Sequence, residues 1–178
     1  ALMVLGACGG DDGDGVITPS DGGATTAPAG QASAKTPDPC ILLTAAEVSA
    51  AVGSPIEPPD SVVIPPPIGG RTCLFSNSDA PPIKNVQIVV RTNGDFAQAL
   101  RDQGQTVERL YDDSKKLQDA ALVEDVGGLG DRAYKTRSAY YVLKDGVALE
   151  INLGLNTDPS PQAQAALKSL AESAVSRL

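Results

Sequence analysis

Histidine and tryptophan are absent from the 178 residues of the chain, which contain only two Phe and four Tyr. The lack of histidine excludes Ser-His-Asp and Cys-His catalysis, histidine-ligated metals and histidine pH switches within this chain. Hydrophobic residues make up 42% of the chain and aromatic residues 3%. A core must therefore be built mainly from Val, Leu, Ile and Ala.

Basic residues are outnumbered, with 14 Lys and Arg against 22 Asp and Glu, which gives a net charge of −8. A chain of this sign lacks the basic surface by which proteins bind phosphate backbones, so we expect no nucleic-acid partner. After residue 8, no apolar run approaches the roughly 18 residues of a membrane-spanning helix. We also expect no cofactor and no metal.

The first eight residues are apolar or small and end in a cysteine. Leu5-Gly6-Ala7-Cys8 resembles the lipobox of bacterial lipoproteins, in which an aliphatic residue and two small ones precede the lipidated cysteine. The resemblance implies that residues 1–7 are the end of a signal peptide and that Cys8 carries a diacylglyceryl anchor. We therefore expect a protein anchored by lipid to the extracytoplasmic face of the cell membrane. The alternative is a short buried strand that ends in a chance cysteine.

Gly, Asp, Thr, Ala and Pro dominate residues 9–39, where Val16 and Ile17 are the only large aliphatic residues. Such a segment buries too little apolar surface to offset the entropy of ordering. Residues 8–39 are thus predicted to be a lipidated cysteine and a disordered tether, and residues 40–178 a single domain. The acidic cluster near Asp12 does not fit a calcium loop, because Val16 stands where the fifth position needs an oxygen ligand.

Several segments of the domain carry clear local signals. The pattern Thr44-Ala45-Ala46-Glu47 predicts a capping box at the start of a helix that ends at Gly53. Six prolines in residues 54–70 predict an extended, irregular segment, either a stiff surface loop or a ligand for an aromatic-lined groove. Residues 105–118 combine helical spacing of apolar residues with an exposed charged run, so the sequence leaves their conformation open.

A β-hairpin is the strongest fold signal. Asp145-Gly146 is typical of a type I′ turn, and pairing Lys144 with Val147 places Val142 opposite Leu149. Ser160 and Pro161 then begin an amphipathic final helix. These patterns predict an α+β fold, with an antiparallel sheet of about five strands, helices packed on one face, and the order α-ββ-α-βββ-α.

Two features invite catalytic or phosphate-binding interpretations. Asp112-Asp113 and Glu124-Asp125 are adjacent carboxylates, but sequence neighbours rarely face each other, so we expect solvated side chains rather than an acid/base pair. Val126–Asp131 is rich in glycine but lacks the Lys-Ser/Thr of a P-loop, which favours a turn that requires positive φ. No catalytic residue is predicted.

Cys40 and Cys73 remain once Cys8 is assigned to the anchor. In an exported domain, cysteines without a partner are prone to oxidation, so a structural disulfide between these two is predicted. Two separately buried thiols or a reactive redox pair are the alternatives. The Cys-x-x-Cys spacing of most reactive pairs is absent.

Spaced motifs also resemble a known family. Asp38-Pro39-Cys40-Ile41-Leu42-Leu43-Thr44, Cys73 with Phe75 nearby, and Val126-Gly127-Gly128-Leu129-Gly130-Asp131-Arg132-Ala133-Tyr134 are together similar to uncharacterised lipoproteins common in actinobacteria, which carry D-P-C-x-L-L-T and V-x-G-L-G-D-x-A-Y motifs. The resemblance implies an α+β domain of the cell envelope with no agreed activity.

The sequence therefore favours a non-enzymatic, lipid-anchored envelope protein. Its domain is expected to bind a small molecule, a lipid or an envelope protein. An accessory or scaffold subunit of an envelope enzyme complex is the alternative, and a hydrolase that uses carboxylates alone is disfavoured.

Overall fold

The computed structural model describes residues 36–77, 85–154 and 160–178. Cys8 and most of the predicted tether lie outside these residues, so lipidation at Cys8 stays a prediction. Thr36–Pro39, which the sequence assigned to the tether, are described and make specific contacts with the domain.

Seven strands of the described residues form one antiparallel sheet in the order β1-β2-β3-β7-β6-β5-β4. The count exceeds the five or so that the sequence predicts. The strands are β1 (Asp60–Ile64), β2 (Gly70–Ser76), β3 (Asn85–Thr92), β4 (Glu124–Asp125), β5 (Arg132–Lys135), β6 (Ala139–Lys144) and β7 (Val147–Leu153).

Four α-helices accompany the sheet in the described residues, and the α+β class is confirmed. They are α1 (Ala45–Val52), α2 (Gln98–Asp102), α3 (Val107–Leu117) and α4 (Pro161–Val175), with 3-10 turns at Pro39–Ile41, Asn93–Asp95 and Ala120–Leu122. The order is α-βββ-αα-ββββ-α, which differs from the predicted order by two strands and a helix.

One face of the sheet carries the main core. Alternate residues of β3, β6 and β7 are buried there, and α1 and α4 pack against them. Val86, Ile88 and Val90, which alternate along β3, are each fully buried on this face. The predicted stripe of α4 is also buried at Leu167, Leu170 and its neighbouring alanines.

The opposite face carries a second, smaller core, which contradicts the prediction of helices on one face only. Tyr134 of β5 and Leu143 of β6 are buried there with Val107 and Tyr111 of α3. The physical reason lies in β5 and β6, where successive residues are large and apolar and point to opposite faces. Apolar side chains on both faces of that half of the sheet must therefore be buried, and α3 buries those on the second face.

The proline-rich segment contains a strand that the sequence did not predict. β1 pairs with β2 along its five residues, from Asp60 opposite Leu74 to Ile64 opposite Gly70. Prolines precede and follow β1 closely, and they restrict it to this length. Val62 and Val63 in this strand are exposed.

Local signals at the other elements are confirmed. Thr44 and Glu47 form the predicted capping box, and Gly53 ends α1 in the left-handed conformation. The hairpin of β6 and β7 has the predicted register, with Val142 opposite Leu149. Residues 105–118, left open by the sequence, contain α3.

Candidate functional site

The predicted disulfide between Cys40 and Cys73 is present. The two Cα atoms lie 5.2 Å apart, and the S–S distance is 2.10 Å. Cys40 belongs to the turn Pro39–Ile41, whereas Cys73 is fully buried in β2. The bridge therefore joins the segment before α1 to the interior of the sheet.

The residues just before Cys40 are held by side-chain contacts. Thr36 Oγ1 donates to the buried carboxylate of Asp95 at 2.7 and 2.8 Å, and the backbone N–H of Thr92 donates to the same carboxylate at 2.7 Å. Asp38 accepts from Arg71 at 2.8 Å. These bonds attach Thr36 and Asp38 to the domain.

The adjacent carboxylates at residues 112–113 and 124–125 do not form an acid/base pair. Asp112 pairs with Arg132, and Asp125 pairs with Lys115. The guanidinium of Arg132 lowers the pKa of Asp112. Asp113 pairs with Lys116 and with Arg109, and Glu124 pairs with Lys135. These carboxylates are thus compensated by cations, as in a surface ion-pair network.

Two larger recesses are open grooves. Asp112, Lys115 and Arg132 help to line a cleft of about 460 Å³ at the C-terminal end of α3, where the ion pairs described above lie. A groove of about 570 Å³ between α1 and α4 is lined mainly by small side chains such as Ala50, Ala166 and Ser169. Small side chains there let the two helices approach closely.

The glycine-rich segment forms a tight turn before β5. Gly128 and Gly130 have φ values of 76° and 64°, as a turn that requires positive φ would have. A Cβ atom at Gly130 would lie 2.5 Å from the carbonyl oxygen of Leu143. The close approach of this turn to β6 accounts for the glycine.

A third recess lies between α3 and the strands β3 and β7, with a volume of about 40 Å³. We call it the α3 recess and define it by its polar lining. That lining consists of Arg91, Tyr111, Ser114, Tyr141 and Glu150. It brings together a cation, a carboxylate, two phenols and an alcohol from four different elements.

The ionisable groups of the α3 recess are affected by burial. Burial raises the pKa of Tyr111 to about 12, and burial together with Glu150 raises the pKa of Tyr141 to about 12. Both phenols are therefore neutral hydrogen-bond donors at physiological pH. Burial lowers the pKa of Arg91, while the carboxylate of Glu150 raises it.

Aromatic contacts hold the tyrosines in place. Tyr134 stacks on Tyr141 with ring centroids 4.5 Å apart, and the Tyr111 ring meets Tyr134 edge-on at 5.0 Å. Such contacts add to the stabilisation from burial. Three of the four tyrosines of the chain thus form one cluster beside the α3 recess.

An apolar strip lies at the β1 edge of the sheet. Val62, Val63 and Leu74, which we call the edge strip, are 55%, 45% and 44% exposed. Val62 and Leu74 are diagonal neighbours on the face that α3 packs against, whereas Val63 points to the other face. The edge strip was not predicted from the sequence, because the flanking prolines indicated an irregular segment rather than a strand.

Within residues 36–77, 85–154 and 160–178, no helix is long and apolar enough to cross a membrane. The same residues contain no group of three or more Cys, Asp or Glu side chains that could hold a metal ion.

Comparison with known proteins yields no relative. No protein-family model, no curated protein and no solved structure matches the chain. The similarity to actinobacterial lipoproteins therefore rests on the motifs alone.

Proposed function

We propose that the chain is a lipid-anchored protein of the cell envelope whose domain binds another protein and catalyses no reaction. The edge strip is the observation that carries this proposal. Exposed apolar side chains at the edge of a sheet favour a protein partner, whereas a small apolar ligand would need an enclosed apolar cavity.

Strand β1 offers backbone groups as well as side chains. It ends the sheet in the described residues, so the backbone groups on its outer side have no strand partner there. Proteins usually protect such edges with charge or proline, because an exposed apolar edge pairs with other chains. Prolines flank β1, but its centre carries Val62 and Val63. The open stretch is thus short and apolar, which suits one extended segment of a partner.

Charge around β1 indicates the chemistry of that segment. Glu57 and Asp60 are exposed acidic residues at its N-terminal end, and Asp60 lies beside Leu74 of the edge strip. We therefore expect an extended, apolar partner segment that carries a basic residue opposite Asp60.

The test compares Val62→Lys with Leu117→Lys, because Leu117 is an 86% exposed leucine at the far end of α3. Each domain is used to capture proteins from the envelope fraction of its host. The wild type and Leu117→Lys should retain one specific protein that Val62→Lys loses. A synthetic peptide from that protein should then shift the NMR amide signals of Asp60–Ile64.

Two results would overturn the proposal. Equal capture by Val62→Lys and the wild type would remove the edge strip from the interaction. A dimer of the purified domain that Val62→Lys dissociates in analytical ultracentrifugation would make the occupant a second copy of this chain. Melting curves of both variants provide the folding control.

A further inference from the structure

We propose that the α3 recess binds a small zwitterion, a molecule that carries an ammonium and a carboxylate on one short carbon skeleton. The site is independent of the edge strip and lies nearer the centre of the sheet.

Arg91 and Glu150, the two charged residues of the α3 recess, lie close enough for one ligand to contact both. Arg91 of β3 pairs with Ala148, and the neighbouring Val89 pairs with Glu150 of β7. Arg91 and Glu150 are thus diagonal cross-strand neighbours on the face that α3 packs against, a relation that separates backbones by roughly 7–8 Å. Both residues line the α3 recess, so a ligand held there lies near both of them.

Neither charge is compensated by a direct ion pair in the part of the chain that the structure describes. Arg91 donates only from Nε, to the carbonyl oxygen of Gly69 at 3.1 Å, which leaves both Nη atoms available. Glu150 accepts from Asn152 at one oxygen, at 3.1 Å. The cleft at the end of α3 differs, because Arg132 and Lys115 there are paired with carboxylates.

Arg91 and Glu150 are both half-buried, and each has spare hydrogen-bonding capacity that a ligand in the recess can use. A ligand carboxylate fits the fork of Arg91, and a ligand ammonium fits the carboxylate of Glu150. The ring of Tyr141 favours a cation nearby, whereas the guanidinium of Arg132 already lies 4.8 Å from the centroid of the Tyr111 ring. The neutral hydroxyls of both tyrosines can donate to the ligand carboxylate.

The size of the recess limits the ligand. About 40 Å³ corresponds to about three water-sized positions. A small α-amino acid such as alanine matches this size if its side chain points outward.

The test uses alanine as the probe, with N-acetylalanine and alaninamide as analogues that each lack one charge. NMR titration of the wild-type domain should show saturable shifts near Arg91 and Tyr141 with alanine. Each analogue should bind about tenfold to a hundredfold more weakly, the loss expected for one charged hydrogen bond. Because these probes act on the unmodified protein, the test does not depend on how a variant folds.

Variants give a second measurement. Arg91→Gln and Glu150→Gln should each weaken alanine binding by a similar factor, whereas Arg109→Gln and Glu108→Gln, at exposed positions of α3, should leave it unchanged. No saturable shift at millimolar alanine would overturn the proposal. If acetate binds as tightly as alanine, and its affinity is the same in Glu150→Gln, the recess is an anion site. That result would also overturn the proposal.

Discussion

Glu47 shows how much one side chain can connect. Its carboxylate accepts from the backbone N–H of Thr44 at 2.8 Å, which completes the capping box, and from Arg177 at 2.9 Å. Arg177 also donates to the carbonyl oxygen of Leu42 at 2.7 Å. One carboxylate thus fixes the start of α1 and ties it to the C-terminal end of the chain.

These bonds lower the pKa of Glu47 from 4.5 to about 2, with the hydrogen bond from Arg177 as the main cause. Because the folded pKa is the lower one, the stabilisation is complete above about pH 4.5 and is lost as the pH falls toward 2. We expect the wild type to have a larger unfolding free energy than Glu47→Gln at neutral pH. This difference should shrink as the pH falls from about 4.5 toward 2. Urea unfolding at a series of pH values measures it.

Glu108→Gln is the control for that series, since Glu108 is an exposed carboxylate in the first turn of α3. The difference in unfolding free energy between Glu108→Gln and the wild type should vary little over the same pH range. A Glu47→Gln difference that is constant with pH would contradict the role of the Glu47 carboxylate.

At the scale of the elements, the sequence predicted those whose signals are local. The Asp145-Gly146 turn set the register of β6 with β7, and Thr44 and Ser160 marked the starts of α1 and α4. A turn or a cap depends on a few neighbouring residues, so its pattern is complete in the sequence.

β1 and α3 depend on distant partners, and the sequence predicted neither. β1 exists through its pairing with β2, and its exposed valines show no alternation of polar and apolar residues. The charged run Asp112–Lys116 left the conformation open, yet all four of its charged side chains form ion pairs with β4, β5 or α3 itself. Tertiary contacts therefore stabilise a helix whose own sequence is ambiguous.

The residues of the α3 recess could not be grouped from the sequence for a similar reason. Arg91 and Glu150 are far apart in the chain, and each reads as a polar residue on the solvated side of an alternating strand. Only the pairing of β3 with β7 brings them together. The scarcity of tyrosine was the one available hint, since Tyr111 and Tyr141 both line the recess.

Two glycines test the turns that border β6. Gly146 has φ of 74° and open space where a Cβ would lie, whereas Gly130 has φ of 64° and would place its Cβ against Leu143. Gly146→Ala should cost about 1–2 kcal/mol of unfolding free energy from backbone conformation alone. Gly130→Ala should cost more, because the turn must also move away from β6. Urea denaturation of both variants compares them, and equal losses would show that this turn relaxes freely.

At the scale of the whole molecule, the sheet is covered differently on its two faces. α1 and α4 cover one face, while among the described helices α3 covers the half of the other face that contains β5, β6 and β7. The β1–β2 end of that second face holds Val62 and Leu74 of the edge strip. The edge strip therefore lies where the described helices do not extend over the sheet, whereas the α3 recess lies beneath α3.

The anchor is a prediction for the whole chain. Cys8→Ala should move the protein from the detergent phase to the aqueous phase in a detergent phase split, because acyl chains supply the membrane affinity. Ser33→Ala, in the same segment, should partition as the wild type does. Unchanged partitioning of Cys8→Ala would contradict lipidation at this cysteine.

The bridge between Cys40 and Cys73 also determines how the domain responds to force. Of the bonds described before Cys40, those from Thr36 to Asp95 are nearest the N-terminus and take the load of a pull applied at Thr36. From Cys40 the tension passes through the covalent bond to Cys73 in β2, a strand that is paired on both sides. Among the described residues that precede the bridge, Thr36–Pro39 can then unravel, which adds about 3.3–3.6 Å for each of four residues. α1 and β1 lie within the closed loop and bear no tension, so a pull on the N-terminal segment leaves the edge strip in its folded shape.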